Sequence, residues 1–174
     1  MTDPTTITSA SRATWRKPWL IATTALVVAG LLGAGWWFGV RDEGLAERRA
    51  EVAAKGADVM PFDLAKTTHV FAKNATGGVQ TVTANDPADT SQIQLIRGHL
   101  DEEAAKFSRG DFSDPAAIHG HDMPGLAELR EGAARVDVRY QDLDDGARLT
   151  YTTAEEPLMK GIHSWFDAQS TDHG

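Results

Sequence analysis

The chain has 174 residues, with 17 Lys or Arg against 25 Asp or Glu, a net charge of -8, six histidines and no cysteine. An acidic balance without a basic stripe argues against nucleic acid as a partner, because phosphate recognition needs Lys and Arg gathered on one face. The lack of cysteine removes disulfides, thiolate catalysis and thiolate metal sites together.

Residues 1–17 are rich in Thr and Ser, show no apolar period and read as a cytoplasmic tail. Within 18–40, the run Trp19–Val40 (WLIATTALVVAGLLGAGWWFGV) holds 22 residues and no charge. A helix of that length covers about 33 Å at about 1.5 Å per residue, against a hydrocarbon core of about 30 Å, so one transmembrane helix is predicted. Trp19 at one end and Trp36, Trp37 and Phe38 at the other suit the two headgroup layers. A cleaved signal peptide is the competing reading, with Gly33-Ala34-Gly35 as its cleavage site, but the apolar run continues past that point to Val40. Arg12, Arg16 and Lys17 lie close before the span, and only Arg41 lies as close after it. The asymmetry predicts a single-pass protein of the cytoplasmic membrane, with a cytoplasmic N-terminus and an extracytoplasmic C-terminal domain.

Residues 41–59 read as a juxtamembrane helix or linker, in which Gly44 to Lys55 (GLAERRAEVAAK) has helical spacing and good helix formers, stopping at Gly56. Residues 60–170 are long enough for one domain with one core, and 171–174 read as a polar tail. Thr67–Lys73 and Val79–Ala84 are β-branched and aromatic runs separated by Asn74-Ala75-Thr76-Gly77-Gly78, the signal of a hairpin with a five-residue loop. Asp86 to Thr90 offers a helix start, and Ile93, Ile96, Leu100, Ala104 and Phe107 recur at three and four residues, predicting an amphipathic helix over about 89–108. Asp111 to Gly125 is irregular, with one or two helical turns expected over Leu126 to Gly132. Val136, Val138 and Tyr140 alternate with Arg135, Asp137 and Arg139, and Leu149 and Tyr151 alternate with Arg148 and Thr150, so Asp144-Asp145-Gly146 turns a second hairpin. Leu158, Ile162, Trp165 and Phe166 share one side of a helix over 157–169. The expected order is β-β-α-β-β-α, an α+β domain in which antiparallel hairpins pack on two helices.

The densest chemical cluster is Ile118 to Gly125. In an extended segment His119, His121 and Met123 share a face, and two imidazoles with a thioether suit copper or another transition metal. Further ligands could come from His69 in the first hairpin and from His163, which stands four residues after Met159. The acidic runs Asp101-Glu102-Glu103 and Asp142 to Asp145 read as solvated faces and turns. No nucleophile elbow, H-E-x-x-H or phosphate-cradling glycine loop occurs. These residues point to a membrane-anchored extracytoplasmic binding or accessory module rather than an enzyme. It would handle copper through His and Met and use the membrane, and another envelope or membrane protein, as partners. The alternative is a small enzyme with an acid-base site in the 111–125 loop, pairing His119 with Asp122 or Asp114.

Met60-Pro61-Phe62, Thr68-His69-Val70-Phe71, the run GDFSDPAAIHGHDMPG from Gly110 to Gly125, and Trp165-Phe166-Asp167-Ala168-Gln169 together resemble a family of small bacterial envelope proteins. Its members commonly carry the label aspartate carbamoyltransferase. The S-T-R-T-R type motif that binds carbamoyl phosphate is absent, so what the resemblance implies is an envelope protein and not that activity.

Overall fold

Four strands form a single antiparallel sheet in the order β1-β2-β4-β3. They are β1 (Thr67–Asn74), β2 (Gly77–Ala84), β3 (Asp137–Leu143) and β4 (Gly146–Thr152). The computed structural model describes residues 43–173, so the predicted tail at 1–17 and span at 18–40 lie outside the described residues. No described helix is long and apolar enough to cross a membrane. The helices are α1 (residues 43–59), α2 (Thr90–Phe107), α3 (Ser113–His119), α4 (Leu126–Gly132) and α5 (Glu156–His173). The chain from 43 onward is thus α+β, as its periodicities predict, with a helix at 113–119 that they did not.

Period-two alternation decides which sheet face is buried. Val82 pairs with Ala147, and Gln80 with Leu149; His69 pairs with Val82, and Phe71 with Gln80. Side chains paired in register share a face, and on this one Val82, Ala147 and Leu149 are wholly buried. α5 packs on β1 and β2, while α2 packs mainly on β4 and β3. α2 begins where Asp89 accepts a hydrogen bond from the Gln92 amide, satisfying one of the donors that a helix start leaves open.

Three local expectations need correction. The first hairpin has a two-residue turn, because Gly77 and Gly78 pair in β2 opposite Asn74 and Lys73. A Cβ on Gly77 would lie 2.2 Å from the Tyr151 carbonyl oxygen, and one on Gly78 would lie 2.5 Å from the Phe166 ring. These glycines admit a neighbouring strand and a helix; they are not loop residues. α1 likewise continues past Gly56 to residue 59, because Gly56 is a close-approach position where a Cβ would meet Leu64 at 2.8 Å. The third correction falls within Asp111 to Gly125, expected to be irregular from Pro115, Gly120, Pro124 and Gly125. Proline fits the first turn of a helix, where the missing N–H has no partner to lose, and α3 runs from Ser113 until Gly120 ends it at a φ of 104°.

Gly125 precedes α4 at a φ of 81°, and a Cβ there would sit 2.0 Å from the Gly161 carbonyl oxygen of α5. Gly98, exposed on α2, has open space around it. Gly125→Ala should therefore lower stability by about 2 kcal/mol or more through strain and overlap, whereas Gly98→Ala should raise it by about 0.5–1 kcal/mol. Thermal melts that moved the two variants in the same direction would contradict this packing.

Candidate functional site

The core between the sheet and the helices is not wholly apolar. A cavity of about 30 Å³ is lined by His69, Gln80 and Val82 from the sheet, His99, Glu103 and Phe107 from α2, Asp114 and His119 from α3, and Trp165 and Gln169 from α5. His99, Glu103 and Phe107 follow one another at intervals of four on α2, so they belong to the same buried stripe as Ile96 and Leu100.

Glu103 is 5% exposed. Lys106 Nζ stands 3.1 Å from its Oε1 and 2.5 Å from Asp114 Oδ2. Burial, reinforced by the Asp114 carboxylate, pushes Glu103 up to about 8 despite Lys106. Burial also opposes ionisation of the half-exposed Asp114, but hydrogen bonds from Lys106 and Glu103 outweigh it and hold that group below its usual range. Two carboxyl groups joined by one lysine are thus driven apart, one neutral and one charged near pH 7. His99, almost buried, is held toward its neutral form by desolvation, with its ring set edge-on to Phe62 at 5.6 Å.

His119 closes another part of the wall. Its Nδ1 lies 2.8 Å from Asp172 Oδ2, and Asp172 in turn receives Arg48 Nε at 2.6 Å and Nη2 at 2.8 Å. Arg48 also reaches the His119 carbonyl oxygen at 3.3 Å. Burial opposes ionisation of Asp172, yet hydrogen bonds from Arg48 and His119 prevail and keep it charged. For His119 burial comes first, and its pKa falls although Asp172 favours the imidazolium. An ionised Asp172 therefore accepts from a neutral Nδ1–H and from a bidentate guanidinium, and this joins α1, α3 and α5.

The five side chains proposed as metal ligands go to different places. His69 and His119 both line the cavity; His69 also lies beside Phe62, with ring centroids 5.8 Å apart. His121 is exposed, and Met123, 6% exposed, packs in the hydrophobic core. His163 Nε2 lies 3.0 Å from the Asn74 carbonyl oxygen and 2.9 Å from that of Gly77, so its N–H closes the first hairpin. The expected common face of His119, His121 and Met123 does not form, because His119 ends a helix and the following residues turn. Among the described residues no group of three or more His, Asp or Glu is arranged to hold a metal ion. For the acid-base alternative, Asp114 reaches the cavity but Asp122 is exposed.

Three participants were missed. Glu103 was read with Asp101 and Glu102 as a solvated face, although its spacing from Ile96, His99 and Leu100 places it on the buried stripe. Asp172 was assigned to the tail, but α5 continues to His173 and buries Asp172 to 4% exposure. Arg48 lies 124 residues from Asp172, a separation with no local signal. No family model matches the chain, and neither any curated protein nor any solved structure matches it.

Glu103 gives a signed pH dependence. An unfolded glutamate loses its proton near about 4.3, whereas the folded one keeps it to about 8. Between these values the unfolded chain binds fewer protons, so stability must fall as pH rises, at no more than about 1.4 kcal/mol per pH unit. Denaturant melts from pH 5 to pH 8 should show this loss in the wild type and not in Glu103→Gln; parallel curves would show that Glu103 ionises normally.

Proposed function

We propose that the protein is a membrane-anchored extracytoplasmic binding or accessory module, and that the cavity between the sheet and α2, α3 and α5 takes its ligand. The observation that carries this reading is a set of polar side chains, His69, His99, Glu103, His119 and Gln169, drawn from β1, α2, α3 and α5 onto one small space in an aromatic core. Glu103 already pairs with Lys106 and His119 with Asp172, whereas burying the polar groups of His99 and Gln169 costs stability that a guest molecule would offset by supplying partners. Copper is not favoured as that guest, since His121, Met123 and His163 stand away from the cavity. The anchor rests on the uncharged run Trp19–Val40, and the outward orientation on the positive charges before it.

One observation favours a second reading, that of a small acid-base enzyme. Asp114 and His119, its proposed pair, line the same cavity as Glu103, and the divergence between Glu103 and Asp114 is the pattern that separates a general acid from a base. That reading requires Glu103 to hold its proton near neutrality, so the Glu103→Gln melts above test it too.

Two measurements test the main reading. Protease added to intact spheroplasts should digest residues 43–174; protection until lysis would reverse the orientation. Native mass spectrometry of the full chain in mild detergent should show a bound small molecule that is lost in Val82→Phe, where the larger ring fills the cavity. Identical spectra for folded wild type and variant would remove the cavity from the account.

A further inference from the structure

Trp165 is fully buried and lines the cavity. Its indole Nε1 is the one fully enclosed side-chain nitrogen or oxygen among the described residues that has no hydrogen-bond partner. An orphaned buried donor calls for an explanation, and an indole N–H can only donate. Two more lining residues, whose polar atoms are less completely enclosed, also have bonding capacity to spare. His99 is 8% and Gln169 5% exposed, and neither side chain makes a hydrogen bond among the described residues. Three polar groups, each more than nine-tenths buried, therefore border one cavity with hydrogen-bonding capacity unused.

Their chemistry selects the guest. Trp165 asks for an acceptor, the Gln169 amide offers both donors and an acceptor, and a neutral imidazole such as His99 offers one of each. Phe62 and Phe107 supply flat apolar walls, which make a net charge on the guest costly to desolvate. The charges nearest the cavity already compensate each other, since Lys106 binds Asp114 at 2.5 Å. A volume of about 30 Å³ corresponds to about two water molecules, so it suits a planar head of a few atoms and not a ring.

We propose that the cavity is a recognition site for a small uncharged carboxamide-like group, held by an acceptor on the Trp165 indole N–H and by donor-acceptor exchange with Gln169 and His99. This rests on the binding-module reading and names the chemical class of its ligand. The carboxamide oxygen takes the indole proton, and its N–H₂ faces the acceptors of Gln169 and His99. A carboxylate of the same shape lacks the donors and carries an uncompensated charge; an amidinium lacks the acceptor.

The probes are formamide, formate and formamidinium, three planar isosteres with charges of zero, minus one and plus one. The full chain is labelled with ¹⁵N-tryptophan in detergent micelles, and the Trp165 indole signal is assigned by its loss in Trp165→Phe. Formamide should move the Trp165 indole proton in a saturable way, with an affinity no tighter than about millimolar for three heavy atoms. Formate and formamidinium should leave it in place. Gln169→Leu should retain the fold and weaken formamide about five- to tenfold, the worth of one hydrogen bond. A signal that follows formate or formamidinium in preference to formamide would overturn the carboxamide assignment while leaving a ligand-binding cavity. A signal unmoved by all three would show that water alone fills the space and overturn the proposal, whereas the broader reading would stand or fall with the native mass spectra.

Discussion

Trp165 is the constraint on which the rest of this domain depends. Its indole lies 5.7 Å from Phe107, 5.6 Å from Phe112 and 5.7 Å from Tyr151, in each case at close to a right angle, while Phe107 and Phe112 stack at 4.7 Å. Perpendicular contacts set positive ring edges against negative faces, each worth about 0.5–1.5 kcal/mol beyond the area buried. One side chain thereby joins α5, α2, the entry to α3 and β4. A ring so placed is fully buried, and its N–H meets no acceptor among the described residues. The packing that holds the fold together and the unmet donor in its centre thus have the same origin.

A second tie acts at the edge of the domain. Arg48, Asp172 and His119 bring residues from α1, α5 and α3 to a shared ion pair. Truncating the half-exposed Arg48 would leave the buried Asp172 carboxylate without its main partner, so this tie fixes position more strongly than its net contribution to stability suggests. It also sets the tautomer of His119, whose Nδ1–H is committed to Asp172, and so fixes the imidazole in the cavity wall. Arg48 thereby fixes α1 to α5 and α3 through two nitrogens of its guanidinium.

What could be read from the sequence was whatever repeats locally. The alternation at Arg135 to Tyr140 and Arg148 to Thr153, and the three-and-four spacing from Ile93 to Phe107, reveal strands and helices because a single face is buried. Boundaries failed where glycine or proline carried a tertiary meaning. Gly77 and Gly78 mark the approach of β4 and α5, not a loop, and Pro115 opens a helix instead of breaking one. The site was legible only in part. His119 and His69 were singled out and do line the cavity, and Asp114 belonged to the acid-base alternative. Glu103 was hidden by its acidic neighbours, and Asp172 by a polar ending that still forms the last turn of α5. Trp165 was recognised as core, but nothing in a sequence shows that a buried indole will lack an acceptor, because that depends on which rings surround it.

The central claim is that this core was built around a guest and is not simply underpacked. The most direct measurement is a high-resolution crystal structure of the domain, inspected around Trp165 Nε1. The account predicts ordered density of a bound small molecule within about 3 Å of that nitrogen, extending toward Gln169 and His99. A dry cavity, one holding water alone, or an indole turned so that its N–H meets a protein acceptor, would contradict it.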